Sequence, residues 1–522
     1  MDAFSALPAG MLVHILEFVP LTHRLQSCSL VSSSWAAAAA AATSSIIVGT
    51  EYTRRLRSDR ISSLDQYTIH HGHFITSLTL ATTADCELSQ LPCPHLRELV
   101  VWYGRVQLST LLSSLTRLTS LQLFACEVRG GARQLTALTA LPDLQHLGLS
   151  IRGRVELDKG SSLQGDAAST AAIDAWGRSI PAPGGLFSQL TQLTQLFLYS
   201  ADVGTFRHFS CLTKLQGLSM RELGAECAAG LTALQSLAQL TRLAITQADF
   251  PISMETVPAI AALTGLRSLQ LSLCRMGVDP AVLGPLSQLQ ELDISFSELL
   301  GGPAGMSVLL AWLPKVQHLT HLAISGHQWG MQLGGLSQQA VGGRGAVLAL
   351  PPQAYSAFTA STALQHLELS FMDVPAAAWE HIFPAGRQLP SLTTFCREQD
   401  SDSLAGTLLQ SQHISCIARC CCNLQSLQLP SSVQQGACMQ PLLQLPNLQE
   451  LVIDSGVVQS REAFAVLLHL ATLTALQLCS DAGLPSSSLQ QLTALRQLRF
   501  LDVQFASWEL HSQVCVQSGG TP

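Results

Sequence analysis

Apolar positions along this chain recur in one short line, L-x-x-L-x-L, read most cleanly at Leu364-Gln365-His366-Leu367-Glu368-Leu369. The line returns at Leu118…Leu121…Leu123, Leu144…Leu147…Leu149, Leu193…Leu196…Leu198, Leu266…Leu269…Leu271, Leu289…Leu292…Ile294 and Leu319…Leu322…Ile324. Later copies begin at Leu424, Leu448, Leu473 and Leu498, and weaker ones at Ile75, Leu96, Leu215, Leu240 and Leu392, where Met220 and Phe395 replace leucines. In x-L-x-L-x alternate side chains point to opposite faces, so each copy predicts a short strand with its leucines turned inward. The run before the line, such as Leu135…Leu138…Leu141, has helical spacing and closes the other side of the coil. One such unit cannot bury its own apolar face. At about 1.5–3 kcal/mol per buried leucine, it becomes stable only with neighbours stacked on both sides.

About sixteen copies, most of them about 21–28 residues apart, give the period of a leucine-rich repeat. The fold class expected is α/β: a leucine-rich-repeat solenoid, with a curved parallel sheet and a helical or irregular convex side. It should run over residues 75–510, after a small helical domain at 1–45 and a connector at 46–74, and before a tail at 511–522. Two stretches break the rhythm, near 151–186 and 326–358. The first is rich in Gly, Ser, Ala and Asp and the second in Gly, and each reads as an insert or as a degenerate coil. The ninth repeat position, often Asn or Cys, carries Cys126 and Cys274 but elsewhere Ala, Ser or Gly, so no asparagine ladder is expected.

The first forty-five residues follow another pattern. Pro8 suits a first helical turn, and Leu12, Ile15, Leu16 and Val19 follow on one helical face until Pro20. Thr22 can cap a second helix with Leu25 and Cys28, and Ser33 a third running through Trp35 into alanines 36–42. Three short helices with little core of their own leave apolar side chains for a partner or for the first coil. Leu7-Pro8, Met11-Leu12…Ile15-Leu16, Val19-Pro20-Leu21 and Ser29-Leu30-Val31…Trp35 resemble an F-box, with Thr22 at its usual acidic position and Ser32 at its usual cysteine. The resemblance, to the F-box proteins with C-terminal leucine-rich repeats, implies docking to a Skp-family adaptor of a cullin-RING ubiquitin ligase. By position, Leu7, Pro8, Leu12, Ile15, Leu16, Leu30, Val31 and Trp35 would be adaptor contacts or supports for them. The other reading of the segment is a cap that shields the first coil.

Composition narrows the field. Charged residues are 12% of 522, the net charge is −7 and mean hydropathy is +0.30. That balance argues against nucleic-acid and anionic-membrane partners. No apolar run reaches membrane-spanning length, and Met1-Asp2 lacks the basic start of a signal peptide. Fifteen scattered cysteines suit reduced thiols in the cytoplasm, with the nucleus or a cilium axoneme as alternatives.

The outward strand positions gather scarce aromatic residues in the early coils. Trp102, Tyr103, Phe124, His146, Phe197 and Tyr199 are the candidate partner-binding residues of the concave face. Later coils carry Glu291, Asp293, Glu368, Glu450, Asp454 and Asp502 there, a stripe that suits a basic peptide or keeps the sheet soluble. His70-His71-Gly72-His73 lacks a third ligand at metal spacing, and Cys416, Cys420, Cys421 and Cys422 with His413 do not form a C-x-x-C pair. No catalytic motif, metal site or cofactor site is expected. The function expected is substrate recruitment for a ubiquitin ligase, with an unknown target protein held by the repeats; the alternative is a non-enzymatic scaffold of cytoskeletal or ciliary kind.

Overall fold

The computed structural model describes residues 9–17, 31–48, 58–82, 87–129, 131–151, 186–199, 206–223, 227, 229–248, 251–252, 256–272, 275–276, 280–295, 298–299, 303–325, 350–370, 372, 374–398, 408–429, 433, 439–454, 461–480 and 490–505. The chain divides into two compact units, Met1–Thr241 and Arg242–Pro522.

The first unit opens with the helix Ala9–Glu17. Leu12 and Leu16, one turn apart, bury themselves against Ala38, Ala39 and Ala42 of the helix Ser33–Ala41 and the residue after it, with Val13 and Trp35 at the margin. Alanine lets the two backbones approach closely, so two leucines suffice for this small core. The cap of the second helix is Ser32, one residue before the Ser33 expected from the sequence. Ser32 is extended (φ −163°, ψ 169°), and its Oγ accepts from the Trp35 N–H at 3.3 Å. A capping side chain must come from an extended residue and reach the amide three positions on, which makes Ser33 the first helical residue. The helix expected around 22–28 lies outside the described residues.

The stretch 46–74, expected as a connector, is largely built structure. Ser45–Val48 is a strand paired in parallel with Ser77–Ala81, and Ser58–His71 is a helix. The strand lacks a leading leucine, so the repeat pattern does not reveal it, yet Ile46 is buried and Ile47 exposed as in any other coil.

From there parallel strands follow at Glu98–Trp102, Ser120–Val128, His146–Ile151, Gln195–Tyr199 and Gly217–Leu223, each in register with the last. Register puts Leu78, Leu99, Leu121, Leu147, Leu196 and Leu218 in one buried row. The far side of these coils is short helix. Leu135, Leu138 and Leu141, three apart, are buried along and just after the 3-10 segment Gly131–Ala140, the period that a three-residue turn requires.

Among the described residues, the second unit repeats the arrangement with ten parallel strands in the main sheet, from Arg242–Ala248 to Phe500–Phe505, and with the two-residue strands Pro251–Ile252, Arg275–Met276 and Glu298–Leu299 in a small sheet of their own. Pro352–Thr359, which the sequence reading placed inside the second insert, is a 3-10 helix with Tyr355 and Phe358 buried. It therefore belongs to a coil, and its rings replace the leucines that would have announced it.

A threonine directly after the leading apolar residue ties coil to coil in both units. Thr76, Thr119, Thr194 and Thr241 donate through Oγ1 to the carbonyls of Ser44, Arg97, Gln145 and Gln216 in the first unit. Thr320, Thr393 and Thr474 do the same to Gln290, Gln365 and Gln449 in the second. Each hydroxyl shares a carbonyl with backbone donors, at about 0.5–1.5 kcal/mol net per bond.

Candidate functional site

Three surfaces can be built from the described residues. The first is the helical head. Packing sends Leu12 and Leu16 inward, which leaves Met11 and Ile15, each one position before a core leucine, facing out. Ile15 is 44% exposed and Met11 53%, and Val31, just ahead of the Ser32 cap, is 62% exposed. Among the sequence-predicted contacts, Leu12 and Leu16 are core, Trp35 is half-buried against that core, Ile15 and Val31 face solvent, and Leu7, Pro8 and Leu30 lie outside the described residues. Met11, which the position-by-position comparison did not single out, joins the outward group. Among the described residues, eight large apolar side chains are exposed, and five of them lie in the first seventy residues, with Ile47 and Ile69 completing the set. Apolar exposure is thus concentrated at this end of the first unit.

The second surface is the outward face of the first unit's sheet. Trp102 and Phe124 occupy matching positions on neighbouring strands, and their rings stack at 4.1 Å between centroids with planes 27° apart. Phe124 meets Phe197 edge-on at 5.6 Å. The strand between them carries Gly148 opposite Phe197 and the small Ser150 opposite Phe124, which lets the two rings meet across it. Tyr199 continues the face. Its hydroxyl donates to the Glu222 carboxylate, and the Arg221 guanidinium lies 5.6 Å from its ring centroid. All four rings are half-buried. Tyr103 stands beside Trp102 at 6.4 Å but belongs to the turn rather than the strand. His146 lies in register with Ser120 and Gln195, in a row apart from the rings.

Backbone geometry at the end of these strands is unusual. Tyr103 (φ 68°), Ala125 (φ 52°) and Glu222 (φ 51°) take the left-handed conformation without being glycine, at roughly 1–2 kcal/mol each. Each directly follows an outward residue of the face: Trp102, Phe124 or Arg221. At Ala125 the register slips, which returns Cys126 to the interior, where its thiol donates to the Val101 carbonyl at 3.4 Å. Non-glycine strain of this kind collects where a surface has a task. Nothing in the L-x-x-L-x-L pattern signals it.

The third surface is the outward face of the second unit, and its chemistry is polar. Asp293 accepts from Gln270 Nε2 at 2.9 Å, Ser272 Oγ at 3.3 Å and the Ser295 N–H at 2.8 Å. Burial, with Asp293 nearby, raises the pKa of Glu368, against a lowering from its bond to Ser370; burial also raises Glu398, with Glu368 adding to it. Burial pushes the Cys396 thiol, beside Glu368 on the next strand, up to about 12. Cys93 is pushed up to about 11, and Cys420 and Cys421 upward as well, all chiefly by burial. That is opposite to what a thiolate nucleophile or ligand needs. Cys416, Cys420 and Cys421 lie buried along and just after the helix Ser411–Cys420, while Cys422 is exposed. No group of three or more His, Cys, Asp or Glu among the described residues could hold a metal ion, and no helix among them is long and apolar enough to cross a membrane.

Stacked parallel strands with buried leucine rows, closed by short helical turns, define each unit as a leucine-rich-repeat structure, and the described helices Ala9–Glu17 and Ser33–Ala41 precede the first strand. No family model matches the chain, and no curated protein matches it. Among solved structures, the chain is similar to an internalin from Listeria monocytogenes, with 15% identity, coverage of 83% of this chain and 88% of that one, and a TM-score of 0.37. It is also similar to a leucine-rich-repeat protein of Leptospira interrogans, with 15% identity, coverage of 85% and 86%, and a TM-score of 0.36.

Proposed function

We propose that this chain is a recognition subunit: the head docks to a Skp-family adaptor of a cullin-RING ubiquitin ligase, and the aromatic face of the first unit holds the target protein. The observation that carries the reading is the outward set Met11, Ile15 and Val31, on helices whose own core is already complete through Leu12 and Leu16. A head that merely capped the first coil would have no reason to keep three large apolar side chains in water. Leu12, Leu16 and Trp35 then act as supports, and Ile15 and Val31 as contacts. The face supplies the second half, since flat, rigid rings are the side chains that anchor most protein interfaces. The chain itself performs no chemistry in this scheme and works by holding two partners together.

The test uses the full chain and purified Skp-family adaptor. Met11→Glu with Ile15→Glu alters only exposed side chains and should leave the thermal unfolding unchanged while abolishing adaptor capture. Absence of capture by the unaltered chain would return the head to the capping role, and the protein to the scaffold class.

A further inference from the structure

His321 and His366 stand at matching positions of neighbouring strands on the outward face of the second unit. Their rings stack, with centroids 5.8 Å apart and planes 23° apart. Thr320 Oγ1 lies 2.9 Å from His321 Nδ1, which fixes the orientation of that ring. Glu291 is the next residue in the same row, directly beside His321. In the adjoining row, Asp293 and Glu368 flank Ala323, whose methyl group leaves the space between them open. Cys396 is the neighbour of Glu368 on the far side, and the Glu398 N–H donates to Ser370 Oγ at 3.3 Å. Among the described residues these are the titratable groups that the surrounding strands present to the two imidazoles.

We propose that His321 and His366 act as one pH-sensing unit that takes up a single proton and resists the second, so that the charge of this face changes in two separated steps on acidification. Geometry supports this directly. Two imidazolium rings stacked at this separation repel each other, whereas one imidazolium is favoured beside Glu291 and near the carboxylates of Asp293 and Glu368 in the adjoining row. The two protons then belong to the pair rather than to either ring. Burial, and then the neighbouring His321, holds His366 below the ordinary histidine value, in keeping with the arrangement. Above the transition the patch presents only carboxylates and neutral rings. Below it, one cation sits among them, and the face loses part of its attraction for positive charge.

The experiment is a histidine titration of the full chain labelled with 13C-histidine, followed through the imidazole Cε1–H signals, with His321→Gln and His366→Gln used to assign the pair. The unaltered protein should show the two rings titrating in separated steps. In His321→Gln, an exposed position whose change leaves the fold intact, the midpoint of His366 should rise toward the ordinary value while keeping the part of its depression that burial causes. Glu291→Gln should lower the midpoint of the first step. Two coincident transitions in the unaltered protein, or a His366 midpoint that does not move when His321 is replaced, would overturn the proposal. If His366→Gln does not fold, His321→Gln and Glu291→Gln still decide it.

Discussion

The two units are built from the same repeat and dress the outward faces of their sheets differently. The first unit lays Trp102, Phe124, Phe197 and Tyr199 along the outward face of its sheet, each half-buried and in contact with another ring or with Arg221. Among the described residues, the second buries both of its tryptophans. Trp379 is fully buried, stacked on Phe383 at 6.1 Å and edge-on to Phe395 at 6.2 Å, while Trp312, Tyr355 and Phe358 are likewise inside. Its described outward positions go mainly to carboxylates, imidazoles, glutamines and serines, with Phe500 exposed on the last strand. A repeat fixes where leucines go and leaves the outward positions open, so those positions record what each unit has to meet.

The comparison can be broken most severely in the second unit. Trp379→Ala should cost roughly 3–5 kcal/mol, because it opens a cavity under Phe383 and Phe395 and removes the ring over which the buried Arg397 guanidinium lies at 4.9 Å. Denaturant unfolding followed by circular dichroism reads the loss. Trp102→Ala in the first unit, the same chemical change on an open face, should cost under about 1.5 kcal/mol, the worth of a surface ring stack. A loss at Trp102 equal to that at Trp379 would mean that its ring is core and not surface.

An intermediate effect concerns pH. His413 stacks on Trp379 at 5.8 Å, and its Nδ1 accepts from the Gln410 N–H at 3.0 Å, a bond that only the neutral ring can accept. Burial, and then Arg397, lowers its pKa. A histidine with a depressed folded pKa binds its proton more readily when unfolded, so its contribution is complete above the unfolded value of about 6.5 and is lost as pH falls below it. Hydrogen exchange followed by mass spectrometry should therefore show Ser411–Cys420 opening more at pH 5.5 than at pH 7.5, after correction for intrinsic exchange. The same comparison over Ser120–Val128 should show little difference, and an equal rise there would erase the contrast.

Recognition should move most where stability moves modestly. Trp102→Ala combined with Tyr199→Ala should lower recovery of the target partner at least tenfold, about 1.4 kcal/mol or more, while its unfolding loss stays below that of Trp379→Ala. Unchanged recovery would remove the aromatic face from the proposal.

How much of this was legible beforehand differs by layer. Sixteen of the strands follow from L-x-x-L-x-L alone, because an inward leucine row has no other period. The strand Ser45–Val48 escaped because isoleucine pairs do not carry the repeat's leading residue, and Pro352–Thr359 because Tyr355 and Phe358 fill a coil that leucines usually fill. Alternation placed the four rings on one face, but their stacking depended on the glycine at 148 and on the register, which spacing does not supply. The buried Arg397 gave no signal at all: a charged residue next to Cys396 reads as surface until Trp379 from another segment is seen covering it. The threonines after the leading residues were visible, yet only coordinates show that their hydroxyls bind the preceding coil.

The short passage from head to sheet has a mechanical consequence. Only Ala42, Thr43 and Ser44 separate the helix Ser33–Ala41 from the strand Ser45–Val48. Thr43 Oγ1 donates to the Ala39 carbonyl at 2.7 Å, and the Thr76 and Ser77 amides both donate to the Ser44 carbonyl, at 2.8 and 3.0 Å. No slack tether joins the two parts, so a protein gripped by the helices and another gripped by the rings would be held as on the two jaws of a caliper, at a spacing set by the number of coils between them. Inserting or deleting one coil between Ser45 and Trp102 would then alter the reach of the assembly without touching either grip.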